Sequence, residues 1–382
     1  MARLSYPSAS LPASTEELRL RIRSFLADEI AAGTFTPRCD TWLGQHSPEF
    51  SKKLGANGFL GLSWPKKYGG HERTALDRFV VSEELLALGA PIAAHWVSDR
   101  QSGPSILKHG NDRMKEETVP GMAAGEIYFS IGMSEPDAGS DLANIRSTAT
   151  KVDGGWLLNG TKVWTSQAHK NHYFIVLVRT TPLSEGGGNR HIGMSQFVMD
   201  LRVPGCQIRP IRLLTGHHHF NEVVMTDAFV PDYMLLGEEG NGWNQVIGEL
   251  AFERSGPERY LSTYPLLSAL VDAIGPNASN EAAAALGTLV ARLTALRKMC
   301  ISVAVMLDQG KAPITEAALV KDMGTQLERE IGEVARQLVP PGKSAAFDQL
   351  VSDSILSAPG FTLRGGTNEI LRGIVARELG VR

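Results

Sequence analysis

Leu18, Ile22, Phe25 and Leu26 recur at helical spacing within residues 16–30, which predicts an amphipathic helix. A second such pattern holds Phe79, Val80, Val81, Leu85 and Leu86, and the loop signals Trp64-Pro65 and Tyr68-Gly69-Gly70 separate the two. Near Ile127 the period changes. Short β-branched and aromatic runs follow, at residues 156–158, 173–178, 197–199 and 223–225, split by turn residues. Asp153-Gly154 and Asn159-Gly160 are hairpin signals within this stretch. After Pro231 helix returns over residues 243–253, 281–306 and 315–338, and a last helix carries Ile370, Val375, Ala376 and Leu379. The pattern predicts an α+β chain in three units. These are an N-terminal all-α domain (residues 1–126), a middle antiparallel β-sandwich or barrel (127–232) and a C-terminal helical bundle (233–382).

Size and composition narrow the class. The 382 residues exceed the usual span of one core, and 43% hydrophobic with 21% charged residues is ordinary globular composition. A formal charge of −3 without a basic block gives nucleic-acid binding nothing to rest on. The three cysteines, Cys39, Cys206 and Cys300, are odd in number and lack CxxC spacing, arguing for a reducing compartment and against a disulfide framework or zinc site. No run reaches membrane-spanning length and the N-terminus has no apolar signal core, so a cytoplasmic location is expected. His217-His218-His219 are consecutive in a strand-like stretch and do not converge on one ion, so no metal is expected.

Three separated motifs carry chemistry. Residues 128–141, Tyr-Phe-Ser-Ile-Gly-Met-Ser-Glu-Pro-Asp-Ala-Gly-Ser-Asp, describe a loop whose backbone can approach a ligand closely and whose Ser134 and Ser140 hydroxyls can donate. Residues 159–166, Asn-Gly-Thr-Lys-Val-Trp-Thr-Ser, place an aromatic in a strand, where it either fills a core or faces a ligand. Residues 363–372, Leu-Arg-Gly-Gly-Thr-Asn-Glu-Ile-Leu-Arg, put two glycines and a threonine at the mouth of a helix. Thr367 or Asn368 can cap that helix, and its free N–H groups can equally hold a ligand oxygen.

In this order, across helix, β and helix again, the three motifs resemble those of the acyl-CoA dehydrogenases. The resemblance covers residues 14–260 and 355–382 well and the region between poorly. It implies the acyl-CoA dehydrogenase fold, FAD, an acyl-CoA thioester substrate and reoxidation by an electron-transfer flavoprotein. Carried over by position, Met133 and Ser134 would meet the flavin ring and Ser140 the pyrophosphate or coenzyme A arm. Trp164 would stack by the isoalloxazine, Ser166 would bond near its N5 edge, and Thr367 and Glu369 would lie near the flavin. A ring that accepts hydride needs a flat wall, donors to its heteroatoms and a dry N5, which suits these residue types.

Many relatives carry their catalytic glutamate where this chain has Gly365. The glycine can still offer its N–H to the thioester carbonyl, but it cannot take a proton. In some relatives, resembling isovaleryl-CoA and long-chain acyl-CoA dehydrogenases, the base projects from another helix just before a buried arginine. Here Leu250-Ala251-Phe252-Glu253-Arg254 stands at that place. At about 100° per residue, Trp243, Val246, Ile247 and Leu250 form one apolar stripe. Glu253 falls at its edge, where a carboxylate gains basicity, and Glu249 further round faces solvent. Arg254 falls within the stripe and requires a buried partner; on the resemblance it lies at the substrate. Glu253 is the expected base, Glu258 its rival, and Glu222 is expected to be structural.

Two segments that hold the adenosine part of a neighbour's FAD in homotetrameric relatives, Arg-x-x-Phe-Gly and Gly-Gly-x-Gly, are missing at residues 264–277 and 339–344. The assembly is therefore expected to be a homotetramer or an α2β2 heterotetramer with a homologous subunit. The glycine at 365 leaves room for a branched, bulky or ring-bearing acyl group. Alternatives are a catalytically silent or FAD-sharing subunit, or a flavin oxidase or monooxygenase on the same scaffold.

Overall fold

The computed structural model describes residues 4–185, 187–254 and 256–381, with the side chains of residues 249–253 outside the description. The chain forms two compact units: one of residues 47–72 and 93–249, the other of residues 1–46, 73–92 and 250–382.

The first unit is built on one eight-stranded sheet, whose strands are β1 (Phe129–Gly132), β2 (Thr148–Val152), β3 (Gly155–Ser166), β4 (Tyr173–Arg179), β5 (Met194–Asp200), β6 (Cys206–Arg212), β7 (His218–Pro231) and β8 (Leu235–Leu236). Their order is β6-β7-β3-β2-β4-β5-β8, with β1 beside β4. Most pairings are antiparallel, and β1 runs parallel to β4 with Phe129 opposite Tyr173. Phe174, Ile175, Val176 and Val178 of β4 join Trp156, Leu158, Phe197, Val223 and Met225 in a core with Ile106, Met114, Val119 and Met122 from the helices of the same unit. The all-apolar β4 run reads as a central strand, buried on both faces.

Asp153-Gly154 makes the expected tight turn, with Val152 paired to Gly155. Asn159-Gly160 does not turn the chain. It lies inside β3 as a bulge against β7, where Gly160 adopts φ +139° and an added Cβ would sit 2.2 Å from the Ser147 hydroxyl. A dipeptide with freedom to turn has been used instead to let another backbone come close.

The second unit is helical, with Ala13–Ala31, Ala75–Ala87, Tyr264–Ile274, Asn280–Asp308, Ile314–Leu338, Ala345–Phe361 and Asn368–Glu378 as its longer elements. Leu18, Ile22 and Leu26 are buried as their spacing requires. In the last helix the buried residues are Asn368 and Leu371, while Ile370 and, just past its end, Leu379 are exposed, so its apolar stripe lies one position from the expected one. No helix among the described residues is long and apolar enough to cross a membrane.

One buried carboxyl in this unit has a measurable consequence. Glu328, fully buried, accepts the Ser262 N–H at 2.8 Å on Oε1, and its Oε2 has no hydrogen-bond partner among the described residues. Burial pushes this carboxyl up to about 7, against the opposing Arg364 charge and the Ser262 hydrogen bonds. The folded chain then holds a proton that the unfolded chain has already released, so stability declines as pH rises from about 4.5 to 7. Glu328→Gln should gain on the wild type by about 3 kcal/mol between pH 5 and pH 8, read from urea unfolding. A difference independent of pH would contradict it.

Candidate functional site

In the β unit the loop after β1 is held from beneath. Lys162, on β3, is fully buried and donates to the Met133 carbonyl at 3.1 Å and to Glu135 Oε1 at 2.8 Å. Glu135 also accepts the Arg146 and Ser147 N–H groups at 2.7 and 2.9 Å. Burial alone would push the Glu135 carboxyl up, but the Lys162 charge and these hydrogen bonds hold it below its usual range. The Ser134 carbonyl accepts the Val163 N–H at 2.9 Å. Because the peptide is trans, turning the Met133 carbonyl onto the buried ammonium aims the Ser134 N–H the opposite way. The loop thus presents a backbone donor away from its anchor.

Two residues along β3 from Lys162 the backbone is strained. Trp164 adopts φ +60° at a register shift between Lys162 and Thr165, and its indole remains 57% exposed, edge-on to Phe220 with ring centroids 6.0 Å apart. A bulky residue in the left-handed region costs energy, and this one recovers little of it by burial. Gln167 is also left-handed, with its N–H on the His219 carbonyl at 2.7 Å. The Ser166 carbonyl accepts the Ser130 hydroxyl at 2.7 Å, and Asn171 braces Ser130 at 3.0 Å. Ser140 is exposed at the end of the loop, past a tight Glu135–Ala138 turn. Of the triple histidine, His218 stacks on His169 at 3.9 Å and bonds Asn221. Glu222 pairs at the surface with Arg209.

The helical unit holds the tail motif. Gly365 and Gly366 are both left-handed, at φ +70° and +88°, and lead into the last helix, where the Thr367 hydroxyl caps Ile370 N–H at 3.4 Å. Arg254 is buried and its Nε donates to the Gly365 carbonyl at 3.1 Å, which supplies the partner its place on the apolar stripe requires. A Cβ on Gly366 would meet Arg254 Nη2 at 3.1 Å. Lys321 Nζ donates to the Gly366 carbonyl at 2.7 Å and to Asn368 Oδ1 at 2.8 Å. The exposed Glu369 carboxylate is held below its ordinary range by its own N–H and the Thr367 hydroxyl at the helix N-terminus.

The expected site residues therefore fall into two groups. Met133, Ser134, Trp164 and Ser166 gather around β1 and β3, and Arg254, Gly365, Thr367 and Glu369 around the tail turn. Glu253 ends the Gly242–Glu253 helix, and its side chain, like those of Glu249 and Leu250, lies outside the described residues. Glu258 is fully buried, 3.7 Å from Arg259. On the helix before Glu253, Val246 is buried, but Ile247 is exposed and Gln245 takes the inner position with a 2.7 Å bond to the Leu236 carbonyl. Lys162, Glu135 and Lys321 were not singled out as functional residues from sequence. For Lys321 a signal existed, since it lies on the stripe of Ala317, Gly324 and Ile331, where a surface lysine has no place.

Family models for the N-terminal, middle and C-terminal domains of acyl-CoA dehydrogenase match residues 12–126, 130–228 and 279–380. Acyl-CoA dehydrogenase IpdE1 of Mycobacterium tuberculosis is 30% identical over 380 residues, covering 95% of this chain and 97% of that protein. Acyl-CoA dehydrogenase FadE34 of the same organism is 32% identical over 331 residues, and the match spans 85% of this chain but 45% of FadE34. Among solved structures, the Tcur3481-Tcur3483 steroid ACAD superposes with a TM-score of 0.86 at 25% identity, over 97% of this chain and 98% of that one. The ChsE4-ChsE5 complex from Mycobacterium tuberculosis gives 0.82 at 26%, over 98% and 99%.

Proposed function

The chain belongs to the acyl-CoA dehydrogenase family, and on that premise we propose that it removes the α-proton and β-hydride of an acyl-CoA thioester, giving the trans-2-enoyl-CoA. Glu253 takes the α-proton. The Gly365 N–H holds the thioester oxygen and so acidifies that proton. The observation that carries this reading is the Arg254–Gly365 hydrogen bond, which ties the residue next to Glu253 to the glycine turn that lacks the familiar carboxylate. A base lost from the turn is thus matched by a carboxylate one residue from the turn's own anchor.

The β-unit residues fit FAD, since an exposed indole on a strained bulge and an outward Ser134 N–H suit a flat ring that needs a wall and a donor. Met133, Ser134, Trp164 and Ser166 would hold the ring, Ser140 the pyrophosphate or coenzyme A arm, and Thr367 and Glu369 the flavin from the tail. Bound FAD supplies the acceptor for the β-hydride. An electron-transfer flavoprotein then takes the electrons onward. A bulky or ring-bearing acyl group is favoured by the glycine at 365 and by the likeness to a steroid ACAD. The missing adenosine-binding segments and the likeness to the ChsE4-ChsE5 complex support an α2β2 assembly.

Anaerobic mixing with a panel of acyl-CoAs of varied length, branching and ring content tests the reaction. Bleaching of the flavin band without rapid recovery in air supports it. Rapid recovery in air would mark an oxidase, and no bleaching by any member a silent subunit. Expression alone, followed by sizing and flavin absorbance, tests the assembly, and a stable homotetramer with one FAD per chain would sink the α2β2 reading.

A further inference from the structure

We propose that Lys321 is a positioning residue for the thioester site, its buried ammonium fixing the glycine turn from which the Gly365 N–H is offered. The inference rests on the reading of Gly365 given above.

Lys321 lies mid-helix in Ile314–Leu338 with no exposed surface. Its Nζ donates to the Thr362 carbonyl at 3.3 Å, the Gly366 carbonyl at 2.7 Å and Asn368 Oδ1 at 2.8 Å. Thr362 caps the end of the Ala345–Phe361 helix and Asn368 opens the next, so one cation joins the end of a helix, the turn and the start of its successor. Carbonyls at a helix C-terminus favour such a charge. The Asn368 N–H closes the same ring on the Thr362 carbonyl at 3.1 Å. The Asn368 amide is fixed in turn by Thr325, one turn along the lysine's helix, at 3.2 Å.

The turn needs this restraint. Two successive left-handed glycines have more backbone freedom than any other pair, and a misplacement of about 1 Å in a reacting group costs about 10²-fold in rate. Arg254 fixes the peptide plane between Gly365 and Gly366, and Lys321 fixes the plane after Gly366. Together they set both torsions of Gly366 and hold the carbonyl side of Gly365, while the Arg364 guanidinium, paired with Asp40, holds the residue on its N–H side. A methionine would fill the same volume in a helix packed on apolar neighbours without the cost of burying a charge, so packing alone does not account for the lysine.

Lys321→Met tests this in the flavin-loaded assembly. Expected results are unchanged circular dichroism, elution volume and flavin content, with faster hydrogen exchange of the 362–368 amides. The deuterium exchange of the acyl-CoA α-proton and kcat should both fall about 10- to 100-fold, with KM within about threefold. Full kcat and α-proton exchange in a folded variant would overturn the proposal. Should this variant not fold, Lys321→Gln is read by the same criteria. In the wild type, 362–368 amides exchanging as fast as an open loop would overturn it without any variant. A wild type that neither exchanges the α-proton nor bleaches would instead sink the acyl-CoA reading, leaving the amide exchange to judge the clamp.

Discussion

Glu253→Gln is expected to retain flavin and to lose substrate-driven bleaching by about 10³- to 10⁴-fold, the upper range for a positioned general base. The amide keeps the shape of the carboxylate and removes only its proton affinity, so binding of an acyl-CoA, followed by its perturbation of the flavin spectrum, should persist. The companion measurement is α-proton exchange in deuterium oxide, which should vanish with bleaching. If exchange survives while bleaching is lost, Glu253 aids hydride departure and another group takes the proton. Full activity would move the role to Glu258, a fully buried carboxylate beside Arg259. Arg254 makes the stronger case for Glu253, since its guanidinium already reaches the turn that would receive the thioester.

Glu135→Ala is expected to lower stability by about 3–5 kcal/mol, because it leaves the Lys162 ammonium buried without its counter-charge. The double variant Glu135→Ala/Lys162→Met should regain much of that loss, as removing both charges removes the desolvation cost. Urea unfolding of the four-protein cycle measures the coupling. Flavin retention should follow a different order: both single variants and the double should lose FAD, because each unfastens the loop that carries Met133 and Ser134. A pH dependence accompanies the pair. The Glu135 carboxyl is held below its unfolded range near 4.3, so its contribution is complete above about pH 5 and disappears as pH falls through the lowered value. Acid unfolding of Glu135→Gln should accordingly lack that part of the transition.

Much of this was legible in the chain, and the exceptions share a cause. Period 3.6 and period 2 separate the helical stretches from the β stretch because burial on one face constrains every third or fourth residue, or every second. The runs at 156–158 and 173–178 do not alternate; they appear in β3 and β4 because short apolar, β-branched and aromatic segments bounded by turn residues suit strands buried on both faces. Asn159-Gly160 was misleading because a glycine with positive φ serves a bulge as well as a turn, and only the partner strand decides between them. Ile247 departs from its expected inward place, and Gln245 is buried with its NH2 donating to the Leu236 carbonyl, a partner that the stripe alone does not reveal. In the site, the residues that would face a ligand were named from their motifs, whereas Lys162, Glu135 and Lys321 act from behind. Lys162 and Lys321 hold carbonyls, and Glu135 accepts N–H groups, of segments apart in sequence, and only the apolar stripe around Lys321 gave a local sign of this.

The strain at Trp164 bears on how this protein would respond to selection for robustness. A residue that sits left-handed and largely in solvent costs about 1–3 kcal/mol and gives little packing in return. Screening for heat tolerance alone would be drawn to glycine at this position, a change that relaxes the backbone and erases the flat surface proposed for the flavin. Variants hardened there would survive warming and arrive colourless, so a thermostability campaign on this enzyme should be scored by its yellow colour as well as by its melting temperature.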